Sequence, residues 1–171
     1  MRAMRVRWTT VSMLVCAGLL MPTLASAETG KRVGAHVGFV VPLVVRSNGA
    51  TTTVADDFVF GLPVGFGVAH FGRFTFDVEA VTSVQNKPSD IGLELHPGIV
   101  MGIKPGLAAG LRAAVDVEGG AWGFTPLVNH TLYEAKSHSL FAELVVPVRF
   151  VDAKPGHRTS VALGVHVGVG F

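Results

Sequence analysis

Charged residues are scarce in this 171-residue chain, with Asp, Glu, Lys and Arg making up 15% against about 25% in an ordinary soluble domain. Cysteine is nearly missing, Cys16 being the only one, and the chain has just two Trp and one Tyr. Past the N-terminal segment no apolar run approaches the roughly 20 residues a membrane helix needs, so helical spans are excluded there. Disorder is excluded too, because 49% of residues are apolar and the formal net charge is only +2. One domain is the expectation at this length. A chain rich in apolar residues without continuous apolar runs points to β-structure, where alternate residues face opposite sides.

The N-terminus reads as an export segment. Arg2, Arg5 and Arg7 precede the hydrophobic stretch Val11 to Met21, and Ala25-Ser26-Ala27 follows. That order describes a signal peptide, residues 1–27, cleaved before Glu28. The stretch is shorter than the roughly 17 residues of a spanning helix. Met13-Leu14-Val15 before Cys16 lacks the small residue of a lipoprotein signal. Three of the 14 basic residues leave with the leader, so the mature domain, 28–171, sets 11 basic residues against 12 acidic ones. No nucleic-acid partner is expected from that balance. Cys16 leaves as well, which excludes a disulfide or thiolate metal site in the mature domain.

Period-two alternation then governs the chain. Val33, Ala35, Val37, Phe39, Val41, Leu43 and Val45 form one apolar stripe, with Gly34, His36 and Gly38 opposite. Phe58 to Val68 alternates against Gly61, Pro63, Gly65 and Gly67. Phe74, Phe76, Val78 and Ala80 oppose Arg73, Asp77 and Glu79. Leu93 to Ile103 opposes Glu94, His96, Gly98 and Gly102, and Lys104-Pro105-Gly106 marks a tight turn. Leu107 to Val117 opposes Gly110, Arg112, Asp116 and Glu118. The last two stripes run from Leu140 to Phe150 and from Val161 to Phe171. Residues 122–133 alternate badly and include Pro126, so on their own they stay undecided.

The direction of the stripes follows from their partners. Glycine gives a strand no side chain to pack and makes a poor solvating surface, but it relieves crowding inside a narrow eight-stranded barrel. The apolar stripes are therefore expected to face lipid. The ending Val165-His-Val-Gly-Val-Gly-Phe171, with Val165, Val167, Val169 and Phe171 on one face, resembles the C-terminal assembly signal of bacterial outer-membrane proteins. The mature domain as a whole resembles the small eight-stranded barrels of the OmpA, OmpX and OmpW kind. That resemblance implies an all-β, eight-stranded antiparallel up-and-down transmembrane β-barrel. Such barrels have an even number of strands, which puts the eighth between Trp122 and Tyr133. It also implies a monomer in the outer membrane, in contact with lipid and lipopolysaccharide and inserted by the barrel-assembly machinery. The shortage of Trp and Tyr departs from the usual aromatic girdle.

Inward positions carry the chemistry. Arg73, Asp77, Glu79, Glu94, Arg112, Asp116, Glu118, Glu143 and Arg149 have mixed sign and are expected to form a salt-bridged plug, since unpaired burial costs several kcal/mol per ion. Arg112 is the expected anchor, reaching Asp77, Glu79 or Asp116 across the space left by Gly98. His36 and His166 face inward on the first and last strands and are expected at similar height. Two imidazoles without a third ligand make a weak metal site, so no metal is expected. None of the seven histidines is followed two places later by Ser, the deacylase pattern. The nearest catalytic assembly is His138-Ser139 with Glu143, whose last two members are too far apart along a strand to touch. No cofactor fingerprint appears. The expected function is a non-enzymatic scaffold, surface interaction protein or narrow pore. The alternatives are a lipid A deacylase or acyltransferase and a soluble lipocalin-like barrel.

Overall fold

Alternation of this length builds strands, and the strands close on themselves. The computed structural model describes residues 32–86, 89–152 and 157–171; the expected export segment lies outside the described residues. Ten extended segments follow in order: β1 (Arg32–Ser47), β2 (Ala50–Thr53), β3 (Val59–Phe71), β4 (Phe74–Gln85), β5 (Asp90–Lys104), β6 (Leu107–Asp116), β7 (Ala121–Glu134), β8 (Ser139–Val145), β9 (Val148–Asp152) and β10 (His157–Gly170). Neighbours in the order β1-β3-β4-β5-β6-β7-β8-β10 pair antiparallel, and β1 also pairs antiparallel with β10, so the sheet has no open side. Closure removes the exposed hydrogen-bonding edges that would otherwise invite aggregation.

Two of the ten segments are not separate walls. β2 folds back on the end of β1, from Val44 to Ser47. β8 and β9 are halves of one strand, each pairing with both β7 and β10 on either side of Val146-Pro147. The wall therefore has eight staves in up-and-down order. Gly72 and Gly106, both at positive φ, sit in the turns β3–β4 and β5–β6 at the end where β1 begins and β10 finishes. At the other end, β6 and β7 are joined by the four residues 117–120, and β1 and β3 by the longer connection that carries β2.

The segment that sequence left undecided is the well-formed β7. Trp122, Phe124, Val128 and Leu132 stand exposed, while Gly123, Thr125 and Leu127 are buried. Leu127 hides the alternation by being apolar and inward. Pro126 fits because its carbonyl accepts the Val146 N–H at 3.0 Å. N–H and C=O of one strand residue point the same way, so the donor that Pro126 lacks would face the β8–β9 break.

One assignment of faces is corrected. Pairing of β1 with β10 shifts between Pro42 and Val44, a bulge that puts two consecutive residues, Leu43 and Val44, on the outside. Val45, expected on the outward stripe, is thereby turned towards the interior, beside Pro42, Val59 and Gln85. Elsewhere the two faces separate cleanly. Among the described residues, 29 large hydrophobic side chains stand exposed around all eight staves, and only five hydrophobic residues are buried.

Candidate functional site

The interior is built from the inward phase of each stave. On β4 the period of two sends Asp77 and Glu79 to one face, and on β6 it sends Arg112 inward. The Arg112 Nε donates to Asp77. Its two terminal nitrogens donate to Glu143 at 3.1 and 3.4 Å, a bidentate pair reaching across to β8. Nη1 also lies 3.5 Å from Glu79. Glu143 accepts from Asn129 at 3.0 Å and faces the Nδ1 of His166 at 2.8 Å. Arg112, Asp77, Glu79, Glu143 and His166 are each no more than 4% exposed.

A second branch runs towards the β2 end. The two oxygens of Glu79 face His36 Nε2 at 2.9 Å and His96 Nδ1 at 3.5 Å. His96 Nε2 lies 2.7 Å from Glu94, and Glu94 accepts from Arg149 Nη2 at 2.8 Å. Arg149 donates on to the Thr125 hydroxyl and to the carbonyls of Phe124 and Val148. The result is one continuous network from Asp77 to Thr125. Every stave contributes to it except β3, whose inward residues Gly61, Pro63 and Gly65 are buried and carry no polar side chain.

Glycine makes room for these side chains. Arg112 is paired directly across from Gly98, His36 from Gly65, Phe141 from Gly168 and Arg149 from Gly123. A Cβ on Gly98 would lie 2.6 Å from the Arg112 Cγ, and one on Gly65 would lie 2.5 Å from the His36 ring. Phe141 fills the remaining gap, edge-on to His36 and His166 at 6.0 and 5.1 Å between ring centres. The arrangement can hold charge and exclude water. Among the described residues, no group of three or more His, Cys, Asp or Glu is arranged to hold a metal ion.

Asp77, Glu79, Glu94, Arg112, Glu143 and Arg149 all join the network. Three expected members do not. Arg73 is exposed in the β3–β4 turn, and Glu118 is exposed beyond the end of β6. Asp116 closes β6, where it accepts the Glu118 backbone N–H instead of reaching Arg112. All three have the inward phase but lie where the walls end, so water reaches them. Arg112 therefore finds Glu143 two staves away, past β7, in place of Asp116. His36 and His166 are not level: His36 pairs with Gly170, and His166 pairs with Val40 four residues further along β1. Their rings still come within 6.3 Å, each turned to a different glutamate. On β10, Val167 is exposed, Val165 and Val169 are half-buried, and Phe171 is exposed while exchanging both backbone hydrogen bonds with Ala35. His138 contacts Ser137, and Glu143 is held elsewhere, so the nearest catalytic assembly is not brought together.

Sequence reasoning missed His96, Asn129, Thr125 and Phe141. His96 had a readable signal in its inward phase on β5, beside Glu94. Asn129 and Thr125 lay in the stretch where Leu127 and Pro126 mask the alternation.

No family model matches the chain, and no curated protein matches it. One solved structure, described as "De novo design of transmembrane beta-barrels", is similar to it at 14% identity with a TM-score of 0.42, covering 79% of this chain and 94% of that one.

Proposed function

We propose that the protein is an integral β-barrel of the bacterial outer membrane. In this reading it works as a sealed scaffold or surface interaction protein and not as an open pore. The observation that carries this is the inversion of its faces. Monomeric soluble proteins rarely expose a contiguous apolar patch beyond a few hundred Å², whereas here every stave turns Val, Leu, Ile or Phe outward and the buried charged residues all lie inside. Hydrocarbon is the solvent that stabilises such a surface, and a closed barrel satisfies its own backbone groups within it. A lipocalin-like barrel would need the opposite arrangement. The absence of an open lumen is supported by the Arg112 and Arg149 clusters, which span it from β4 to β9.

The wider setting is part of the same proposal. Residues 1–27 direct export, the last strand from Val165 to Phe171 is read by the barrel-assembly machinery, and the apolar belt meets lipid and lipopolysaccharide as a monomer. This is the arrangement of the OmpA, OmpX and OmpW kind of barrel. A non-enzymatic role is supported by Glu143, the acid that would act with His138 and Ser139, being engaged by Arg112, Asn129 and His166. The test is co-flotation of refolded residues 28–171 with phospholipid vesicles, followed by planar-bilayer recording at neutral pH. The protein should float with lipid and give no conductance steps. A monodisperse, detergent-free soluble monomer would overturn the membrane reading, and steady open-channel current would overturn the sealed interior.

A further inference from the structure

The interior network does not balance on its fixed charges. It contains four carboxylates, Asp77, Glu79, Glu94 and Glu143, against two guanidinium groups, Arg112 and Arg149. In a closed lumen an excess of two negative charges is costly, because burial penalises each unpaired ion by several kcal/mol. Three imidazoles are the only other groups in the network able to supply positive charge: His36, His96 and His166.

The geometry singles out His96. Both of its ring nitrogens face carboxylate oxygens, Nδ1 towards Glu79 of β4 at 3.5 Å and Nε2 towards Glu94 of its own strand at 2.7 Å. A neutral imidazole has one N–H and one lone pair, so it would set a lone pair against an anion on one side. Only the imidazolium donates in both directions. Arg149 of β9 lies 3.2 Å from His96 Nε2, but the same Arg149 nitrogen is 2.8 Å from the Glu94 oxygen that His96 meets. Two donors sharing one acceptor account for that approach. Beyond Glu79 stand His36 of β1 and Arg112 of β6, and Asp116 pairs with Glu94 at the rim of β6. Among the described residues, His166 sets only its Nδ1 against a carboxylate, its Nε2 being buried with no partner.

We propose that His96 is an imidazolium clamp joining the two halves of the plug, and that removing its proton opens the lumen to cations. This deepens the reading of a sealed barrel by naming what seals it. When the proton passes to hydroxide in the bulk, Glu79 and Glu94 lose a shared counter-charge and the interior becomes more negative. Water and small cations then enter to restore neutrality, and the sign of the lining makes the path cation-selective. Histidine is the side chain suited to such a change near physiological pH.

The test uses the barrel of residues 28–171, refolded in detergent and in planar bilayers. Long-range proton–nitrogen correlation at about pH 6 should show both His96 ring nitrogens protonated. Bilayer recordings should be silent at about pH 6 and show cation-selective steps at about pH 9. His96→Gln should show the steps at both values. A neutral His96 at the lower pH overturns the proposal, as does wild-type conductance that ignores pH over this range. If the variant does not fold, the two wild-type measurements still decide. Failure to float with vesicles would defeat the membrane reading, whereas a floating barrel with a neutral His96 defeats only the clamp.

Discussion

Outward and inward residues alternate along every stave, yet different rules govern them. Outside, Leu95, Ile99 and Leu144 need only be apolar under the proposed membrane reading, since a hydrocarbon solvent makes no specific demands. Inside, Arg112, Glu79 and Glu143 must each find particular partners at particular heights, and the residue across the strand must be small enough to let them pass. The exterior is specified by composition and the interior by position. Mutational tolerance should therefore differ sharply between adjacent residues of one strand.

The strongest test of that contrast is Arg112→Met, which leaves Asp77 and Glu143 buried without their shared cation. A loss of about 3–5 kcal/mol is expected, read from urea unfolding of the refolded barrel in lipid. A loss well under 1 kcal/mol would show that the lumen admits water freely. Next comes Leu144→Arg on the outer face, where Leu144 is 49% exposed. Charge at the bilayer midplane should cost about 2–4 kcal/mol, while Leu144→Met should stay under about 1.5 kcal/mol. Equal tolerance of Arg and Met would argue that no lipid covers this face.

A finer comparison sets two inward glycines of β5 against each other. The Cβ of Gly98→Ala would meet the Leu111 carbonyl and the Arg112 side chain, whereas that of Gly102→Ala would have nothing nearer than 3.7 Å. The first should cost about 1–3 kcal/mol, and the second should change stability by no more than about 0.5 kcal/mol. The smallest effect is expected for Glu118→Gln, at the exposed end of β6. Its unfolding curve should overlay the wild type within about 0.5 kcal/mol; a larger loss would return Glu118 to the interior network.

Much of the architecture was legible because one period runs through the chain. Phe74 to Gln85 and Leu140 to Asp152 show their faces directly, and the mixed charges fall on the side opposite the apolar stripe. The failures have local causes. The β1 bulge turned Val45 inward because closing the wall at the Pro42–Val44 shift inserts an extra residue, which leaves no mark in alternation. β7 was obscured by Pro126, which is tolerated only because its missing donor faces the break in the neighbouring stave. Arg73, Asp116 and Glu118 were placed inside because phase says which way a residue points and not whether wall surrounds it at that height.

The amino-acid sequence by itself determined which residues share a face, since a strand's side-chain period depends only on local backbone geometry. It thereby determined an apolar exterior and a charged, glycine-spaced interior. Only the tertiary structure decided which charges meet. Arg112 reaches Glu143 of β8 and not Asp116 of its own strand, and His96 comes to lie between Glu79 and Glu94. Those pairings depend on the stagger between staves and on the curvature that brings inward residues of β6 and β8 together past the intervening β7. Both are properties of the closed sheet, and neither is present in any single strand.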